Sequence, residues 1–376
     1  MSVLFLTEAD VARVLTMDLA LDAVSAAFRK LGLDEAVNIP RRRCQTDLVM
    51  LHVLPAAAKT LGVIGFKAYT TTKAGARFHI TLYDGRTGEL NAFLEADLIG
   101  QFRTGAASGV ATKKLARPDS STAGCIGTGK QARTQILALC KVLPIKQVAV
   151  YSRDPARRSE FALNLSRETG VEVIPVDHAE AAVRGRDVVV TATTAREVVL
   201  RGEWVAPGQH LNIIGSNFLG KSEVDSEVFR RAALVTVDSK EQAREEAGDF
   251  VAALSEGVLK WADVYDIAPV LIGRYPGRES PEDVTVFKSL GLGVEDIALA
   301  GRVVELARKE GIGRELDEGG DLGTSVRANS HKAGLWSFST GCRHDGHLYR
   351  VLPTGRYRAS CCRISNPNSR LWVDEE

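Results

Sequence analysis

The stretch Ser121-Thr122-Ala123-Gly124-Cys125-Ile126-Gly127-Thr128-Gly129-Lys130-Gln131-Ala132 decides the fold. Ser121–Ile126 reads as a short apolar strand and Lys130–Val142 as a helix, so Gly127-x-Gly129-x-x-Ala132 occupies the turn between them. The first glycine allows the tight turn, the second lets the backbone approach a pyrophosphate, and the small third residue lets helix and strand pack closely. The helix N-terminus then offers free N–H groups and the positive end of its dipole to an anion. Alone the motif is weak, because a glycine turn without a ligand has the same letters.

The downstream chain strengthens it. Strands at Gln147–Tyr151, Val171–Ile174, Asp187–Ala192, His210–Ile214 and Ala233–Val237 alternate with helices at Pro155–Thr169 and His178–Val183. Such alternation predicts an α/β fold with a Rossmann-type, doubly wound parallel sheet, here over residues 116–293. The strand after the motif bears on the cofactor. An acidic residue at its end receives a ribose 2′-hydroxyl, whereas Arg accommodates a 2′-phosphate. Here it ends Tyr151-Ser152-Arg153-Asp154, with Arg157 and Arg158 close behind. Ser152, Arg153 and Arg157 suit a phosphate and Asp154 comes late, so NADP(H) is favoured over NAD(H). The other reading of these arginines is a solvated helix start. Thr193 and Thr194 end the fourth strand at the crevice where open sheets take ligands, although Val190–Thr193 is also simply good strand sequence.

Residues 1–115 read as a separate α+β unit for substrate binding and dimerisation. Helices open at Thr7 and Thr16, strand-like runs lie at Asp47–Leu54, Gly62–Tyr69 and Phe78–Tyr83, and Asp84–Gly88 turns a hairpin into Leu90–Leu94. A small-residue helix covers Ala96–Leu115. A long amphipathic helix at Val294–Lys309 is expected to return to this unit, the segment 294–318 belonging with it.

Residues 319–376 lack either periodicity and read as a poorly structured addition. Cys342, Cys361 and Cys362 with His344 and His347 lie there, but paired ligands at recognised spacings are absent, so no metal is expected. Forty-eight Lys and Arg against 47 Asp and Glu leave a net charge of +1, which gives no support for a nucleic-acid partner. The N-terminus meets acidic residues before any long apolar run, and no stretch approaches a bilayer span, so the expected setting is cytoplasmic, away from membranes. Scattered Cys44, Cys125 and Cys140 fit reduced thiols there.

Several blocks in order along the chain resemble the ornithine cyclodeaminase/mu-crystallin family: Leu51-His52-Val53-Leu54-Pro55-Ala56, Gly65-Phe66-Lys67, Arg103-Thr104-Gly105-Ala106-Ala107-Ser108, Gly127-x-Gly129-x-Gln131-Ala132, Gly202-Glu203-Trp204-Val205-x-Pro207-Gly208 and Thr285-Val286-Phe287-Lys288-Ser289-Leu290-Gly291. The resemblance covers roughly residues 1–318. It implies a homodimer acting on a small imino or amino acid, a carbon bearing nitrogen beside a carboxylate. It makes Lys67 and Arg103 carboxylate contacts, with Arg41 or Arg42 as the third, and places Thr104, Ser216, Lys288 and Ser289 at the cofactor. Arg suits a carboxylate for its fork of donors. Apart from the resemblance, Lys67 and Arg103 read equally well as ordinary surface charges.

Two departures stand out. The family's cyclodeaminases carry Asp in the segment after the fifth strand, where this chain has Gly215-Ser216-Asn217; Asn217 can hydrogen-bond but cannot act as a base. A family Glu before the first-domain Pro is replaced by His52, which reads as a proton donor or as a satisfied structural histidine. Reducing a preformed imine needs one proton donor, so the sequence points to an NAD(P)H-dependent reductase of a cyclic α-imino acid such as Δ1-pyrroline-2-carboxylate. Ornithine cyclodeaminase, an alanine-type amino-acid dehydrogenase and a non-catalytic NADPH-binding protein of crystallin type are the alternatives.

Overall fold

The structure is a computed structural model and describes residues 2–317; the segment 319–376, with its Cys342, His344, His347, Cys361 and Cys362, lies outside the described residues. In chain order the first elements are β1 (Ser2–Leu6), α1 (Glu8–Val14), α2 (Met17–Gly32), β2 (Ala36–Asn38), β3 (Arg42–Gln45), β4 (Met50–Ala58), β5 (Val63–Thr72), β6 (Gly75–Asp84), β7 (Leu90–Glu95) and α3 (Asp97–Leu115). Next are β8 (Thr122–Ile126), α4 (Lys130–Val142), β9 (Gln147–Tyr151), α5 (Pro155–Thr169), β10 (Glu172–Pro175), β11 (Val188–Thr191), β12 (His210–Ile213), α6 (Ser226–Arg231) and β13 (Ala232–Val237). Last come α7 (Lys240–Glu246), α8 (Gly248–Ser255), β14 (Val264–Asp266), α9 (Ile267–Leu271), β15 (Val284–Lys288), α10 (Gly293–Glu310) and β16 (Arg314–Asp317).

The helix starts obey local chemistry. Thr7 caps α1 in a capping box with Asp10, Thr16 accepts from Leu19 N–H, and Asp154 caps α5 ahead of Pro155. The first sheet runs β16-β1-β7-β6-β5-β4-β2, with β3 also pairing β4. β4 alternates strictly, burying His52, Leu54, Ala56 and Ala58 on one face. Pro55 can donate no hydrogen bond, and it falls where β4 changes partner: β3 pairs residues 50–53 and β2 pairs residues 56–58. In that gap the chain leaves the sheet at Pro40 and turns the Arg41 side chain inward, 3% exposed.

The second sheet is wholly parallel, in the order β10-β9-β8-β11-β12-β15-β13-β14. Strand order reverses between β8 and β11, the switch point at which such sheets bind ligands beyond their C-terminal ends. From its last central strand, β15, the chain passes into α10, which packs on α2, β4 and β5, and β16 then pairs antiparallel with β1. Val294, Ile297, Leu299 and Val303 of α10 are fully buried, each worth about 1.5–3 kcal/mol of burial. Among the described residues no helix is long and apolar enough to cross a membrane.

Some boundaries differ from those read in the sequence. β4 begins at Met50, not Asp47, and continues through Pro55 because of the partner change. The expected helix His178–Val183 is a single 3-10 turn, Ala179–Ala182, held close under β8: a Cβ on Gly124 would meet the Ala182 carbonyl at 1.6 Å. α9 comes after most of the parallel sheet in sequence but buries Ile267, Ala268 and Val270 in the core of the first sheet.

Candidate active site

The C-terminal ends of β8, β9 and β11 open on a crevice of about 710 Å³. Gly127, Thr128, Gly129, Ser152, Arg153, Arg157, Thr193 and Thr194 line it, together with Arg196. Gly127 has φ +123°, and a Cβ there would stand 2.3 Å from the Ala192 carbonyl, so only glycine is tolerated. A Cβ on Gly129 would meet nothing within 4 Å; it would project into open space at the mouth of α4. No side chain caps the first turn of α4, which leaves its N–H groups for an anion. This cradle and donor set fit a dinucleotide pyrophosphate. Asp154 is engaged by Arg157 N–H as the cap of α5, and Arg158 is buried against Asp177 and the Ser152 carbonyl. Arg153 and Arg157 therefore remain as the exposed cations on that wall.

A second, buried cluster lies where β5, α3 and α10 meet. Lys67 Nζ donates to Asp296 Oδ1 at 2.8 Å, and Arg103 Nε donates to the same oxygen at 3.0 Å. Arg103 Nη1 donates to Glu295 Oε2 at 2.9 Å. Lys67 is 2% exposed and Arg103 7%. Burial and then the neighbouring Arg103 pull the Lys67 ammonium down to about 8, while Asp296 holds it up. Arg103 is also penalised by burial, yet Asp296 and Glu295 carry its pKa above the usual value. Burial, with Asp238 and Asp296 nearby, pushes the Glu295 carboxyl up. A charged lysine and arginine side by side can receive a carboxylate and still leave an acidic N–H.

The triple arginine divides by burial: Arg41 turns inward just before β3, while Arg42 and Arg43 lie on it. Arg41 donates to Glu246 at 2.8 Å and to the Leu290 and Gly291 carbonyls. Arg42 points to the surface and pairs with Glu245. Arg43 reaches Glu246 at 2.6 Å, the Asn217 carbonyl and His52 Nδ1. All three therefore reach partners in the parallel-sheet region of the chain: Glu245, Glu246, Asn217, Leu290 and Gly291. Of the expected pair, Arg41 lies inside and Arg42 is directed away from the cluster.

Other expected site residues act as supports. Lys288 is fully buried; its ammonium meets Asp249 at 2.8 Å and donates to the Ser216 carbonyl, so it cannot close over a ligand in this conformation. The Ser289 hydroxyl donates to Asp238, the Ser216 hydroxyl to the Phe218 and Lys221 carbonyls, and the Thr104 hydroxyl to the Gly100 carbonyl. Gln131 and Ala132 lie behind the crevice, Ala132 being fully buried. His52 stacks flat on Tyr69 at 4.2 Å, and burial with Arg43 and Arg41 nearby lowers it to about 4. The ring is thus neutral near pH 7, in keeping with the structural reading of this histidine. Asn217 is exposed, with its carbonyl turned to Arg43.

Sequence reading missed the acids of the site. Glu295 and Asp296 sit in the first turn of the amphipathic helix α10, both fully buried, and Glu246 closes α7. Glu223, also missed, ties the crevice together, accepting from Thr191, Thr193 and Gly215.

With this geometry established, comparison with known proteins is decisive: the family model for the ornithine cyclodeaminase/mu-crystallin family matches residues 1–311. The chain belongs to this family. An alanine dehydrogenase from Archaeoglobus fulgidus is 35% identical over 325 residues, covering 84% of this chain and 98% of its own. A Δ1-pyrroline-2-carboxylate reductase from Bacillus cereus is 34% identical over 273 residues, 70% of this chain and 84% of its own. The structure of Thermococcus litoralis Δ1-pyrroline-2-carboxylate reductase in complex with NADH and L-proline superposes with a TM-score of 0.79 at 34% identity, covering 83% of this chain and all of that one. The Rossmann reading and the family resemblance are thereby established.

Proposed function

We propose that this family member is an NADPH-dependent reductase of cyclic α-imino acids, of the Δ1-pyrroline-2-carboxylate type. The observation that carries the reading is the buried Lys67–Arg103 pair, set beside Arg41 at the C-terminal edge of the dinucleotide sheet. Gly127, Thr128, Gly129 and the first turn of α4 would hold the pyrophosphate, with Arg153 and Arg157 on a 2′-phosphate. When bound, the dinucleotide supplies a hydride to the imine carbon. Arg103 and Arg41 orient the substrate carboxylate. Lys67, poised near neutrality, gives its proton to the imine nitrogen, so C=N becomes the amine as the hydride arrives. Neither position 52 nor position 217 offers a carboxylate to take a proton from an amino group, which disfavours cyclodeamination. The pyrroline-carboxylate reductases among the relatives support the same choice.

A second reading, alanine-type dehydrogenation, draws on the Archaeoglobus relative; it uses the same carboxylate contacts on an open-chain imine. The outer face of the first sheet, with Ile64 at 45% exposure and Phe5 stacked on Phe93, suits pairing with a second copy as a homodimer. The function is tested by product analysis. Reduced cofactor with Δ1-pyrroline-2-carboxylate should yield proline, and ornithine with oxidised cofactor should release no ammonia; ammonia without imine reduction would reverse the assignment.

A further inference from the structure

We propose that Asp296 is a positioning residue of this site, a shared buried anion that aims Lys67 at the imine nitrogen and Arg103 at the incoming carboxylate; the inference rests on the imine-reductase reading and deepens it. Asp296 lies in the first turn of α10, the helix that leaves the dinucleotide sheet and packs on the first sheet. Its side chain is fully buried, and Oδ1 takes both cations while Oδ2 also stands 2.8 Å from Lys67 Nζ. The carboxylate therefore engages the inner edge of each cation. Arg103 commits Nε to Asp296 and Nη1 to Glu295, and among the described residues Nη2 takes no partner. Lys67 keeps at least one N–H beyond its Asp296 contact. Two donors, one from each cation, are thus left for a ligand.

β4 and β6 set the apolar Leu54 and Ile80 beside Lys67, and the other surrounding elements bring charge or polarity. α3 brings Arg103, the segment between β2 and β3 brings Arg41, and α10 brings Asp296 and Glu295. β5 adds Tyr69, whose ring lies 5.9 Å from the ammonium. The cations oppose a charged Lys67; of the acids, Asp296 alone touches it. Without that carboxylate two adjacent cations would repel in a dry site, and Lys67 would lose its proton.

The test is Asp296→Asn, which keeps the shape and removes the charge. With Δ1-pyrroline-2-carboxylate and NADPH, the alkaline limb of kcat/KM should move down by about one pH unit or more and the imine KM should rise about tenfold. The NADPH Kd should stay within about twofold, since the crevice is separate. Asp296→Glu, which restores the charge, should return the limb and leave only the KM defect. A merely structural role predicts lower activity at all pH values with an unmoved limb, and that result would overturn the proposal. If Asp296→Asn does not fold, an Asp296→Glu limb displaced like that of an uncharged site would do the same. Should the wild type reduce no imine, the function fails separately. The positioning role is then read from the pH dependence of L-proline binding, in wild type and Asp296→Asn, with an unchanged profile refuting it.

Discussion

Arg43 Nε donates to His52 Nδ1 at 3.2 Å, which fixes the ring proton on Nε2, facing Thr71 Oγ1 at 3.1 Å. A histidine held in this way, and lowered to about 4, is neutral across the working range. Replacing it by Gln should lower kcat by less than about tenfold, whereas Lys67→Met should lower it by about 10²–10⁴, the usual worth of a positioned acid. Steady-state kinetics of the two variants would decide between them. A larger loss at His52 would return the proton to the histidine.

The two glycines of the turn should fail differently. Gly127→Ala forces a Cβ into the Ala192 carbonyl at positive φ and should destabilise the fold by about 1–3 kcal/mol. Gly129→Ala meets open space and should leave the melting temperature unchanged while losing the stabilisation that NADPH gives the wild type. Thermal melts with and without cofactor read both.

Cofactor choice should depend on Arg153 and Arg157. Replacing both by Ser should cut the NADPH:NADH ratio of kcat/KM by about 10- to 100-fold, the worth of one or two charge-assisted hydrogen bonds. An unchanged ratio would make these arginines a solvated helix start and leave NADH as the natural partner.

The arginine run predicts a stability contrast. Arg41→Ala takes one of two cations from the buried Glu246, leaving Arg43 on it, and should cost about 1.5–3 kcal/mol in urea unfolding. Arg42→Ala, whose partner Glu245 is exposed, should cost about 0–1 kcal/mol. Equal costs would remove the distinction that burial draws between them.

His210 gives a pH signature. Burial, with Arg278 nearby, lowers it to about 3 from an ordinary 6.5. Between those values the unfolded chain binds a proton that the folded chain refuses, so stability is complete above about pH 6.5 and declines as pH falls toward 3. A His210→Gln variant should show a shallower decline of the urea midpoint from pH 7 to pH 5 than the wild type.

Most of the parallel sheet was legible because its strands β8 to β13 are short apolar runs bounded by turn chemistry, and the Gly127–Ala132 turn announced its ligand edge; the three-residue β14 was not read. β15 was less so: Val284–Lys288 ends in a lysine, and only the fold reveals that this last strand inserts between β12 and β13. The cations Lys67 and Arg103 were legible through the family resemblance, since sequence pattern alone allowed ordinary surface charges. Their acids were not, since Glu295 and Asp296 resemble any acidic first turn that complements a helix dipole. Nor could local pattern distinguish Arg41 from Arg42, because the inward turn of Arg41 depends on where β4 exchanges β3 for β2. The family resemblance implies Thr104, Ser216 and Ser289 at the cofactor, whereas neighbouring carbonyls or the Asp238 carboxylate engage their hydroxyls in three dimensions.

Imine reduction is tested most directly by monitoring reduced-cofactor absorbance with Δ1-pyrroline-2-carboxylate and its six-membered homologue, with NADPH and NADH in parallel. Rapid oxidation of NADPH, slower oxidation of NADH and loss of both rates in Lys67→Met are the predicted results. No oxidation of either cofactor by either imine, from protein that binds NADPH, would contradict the assignment.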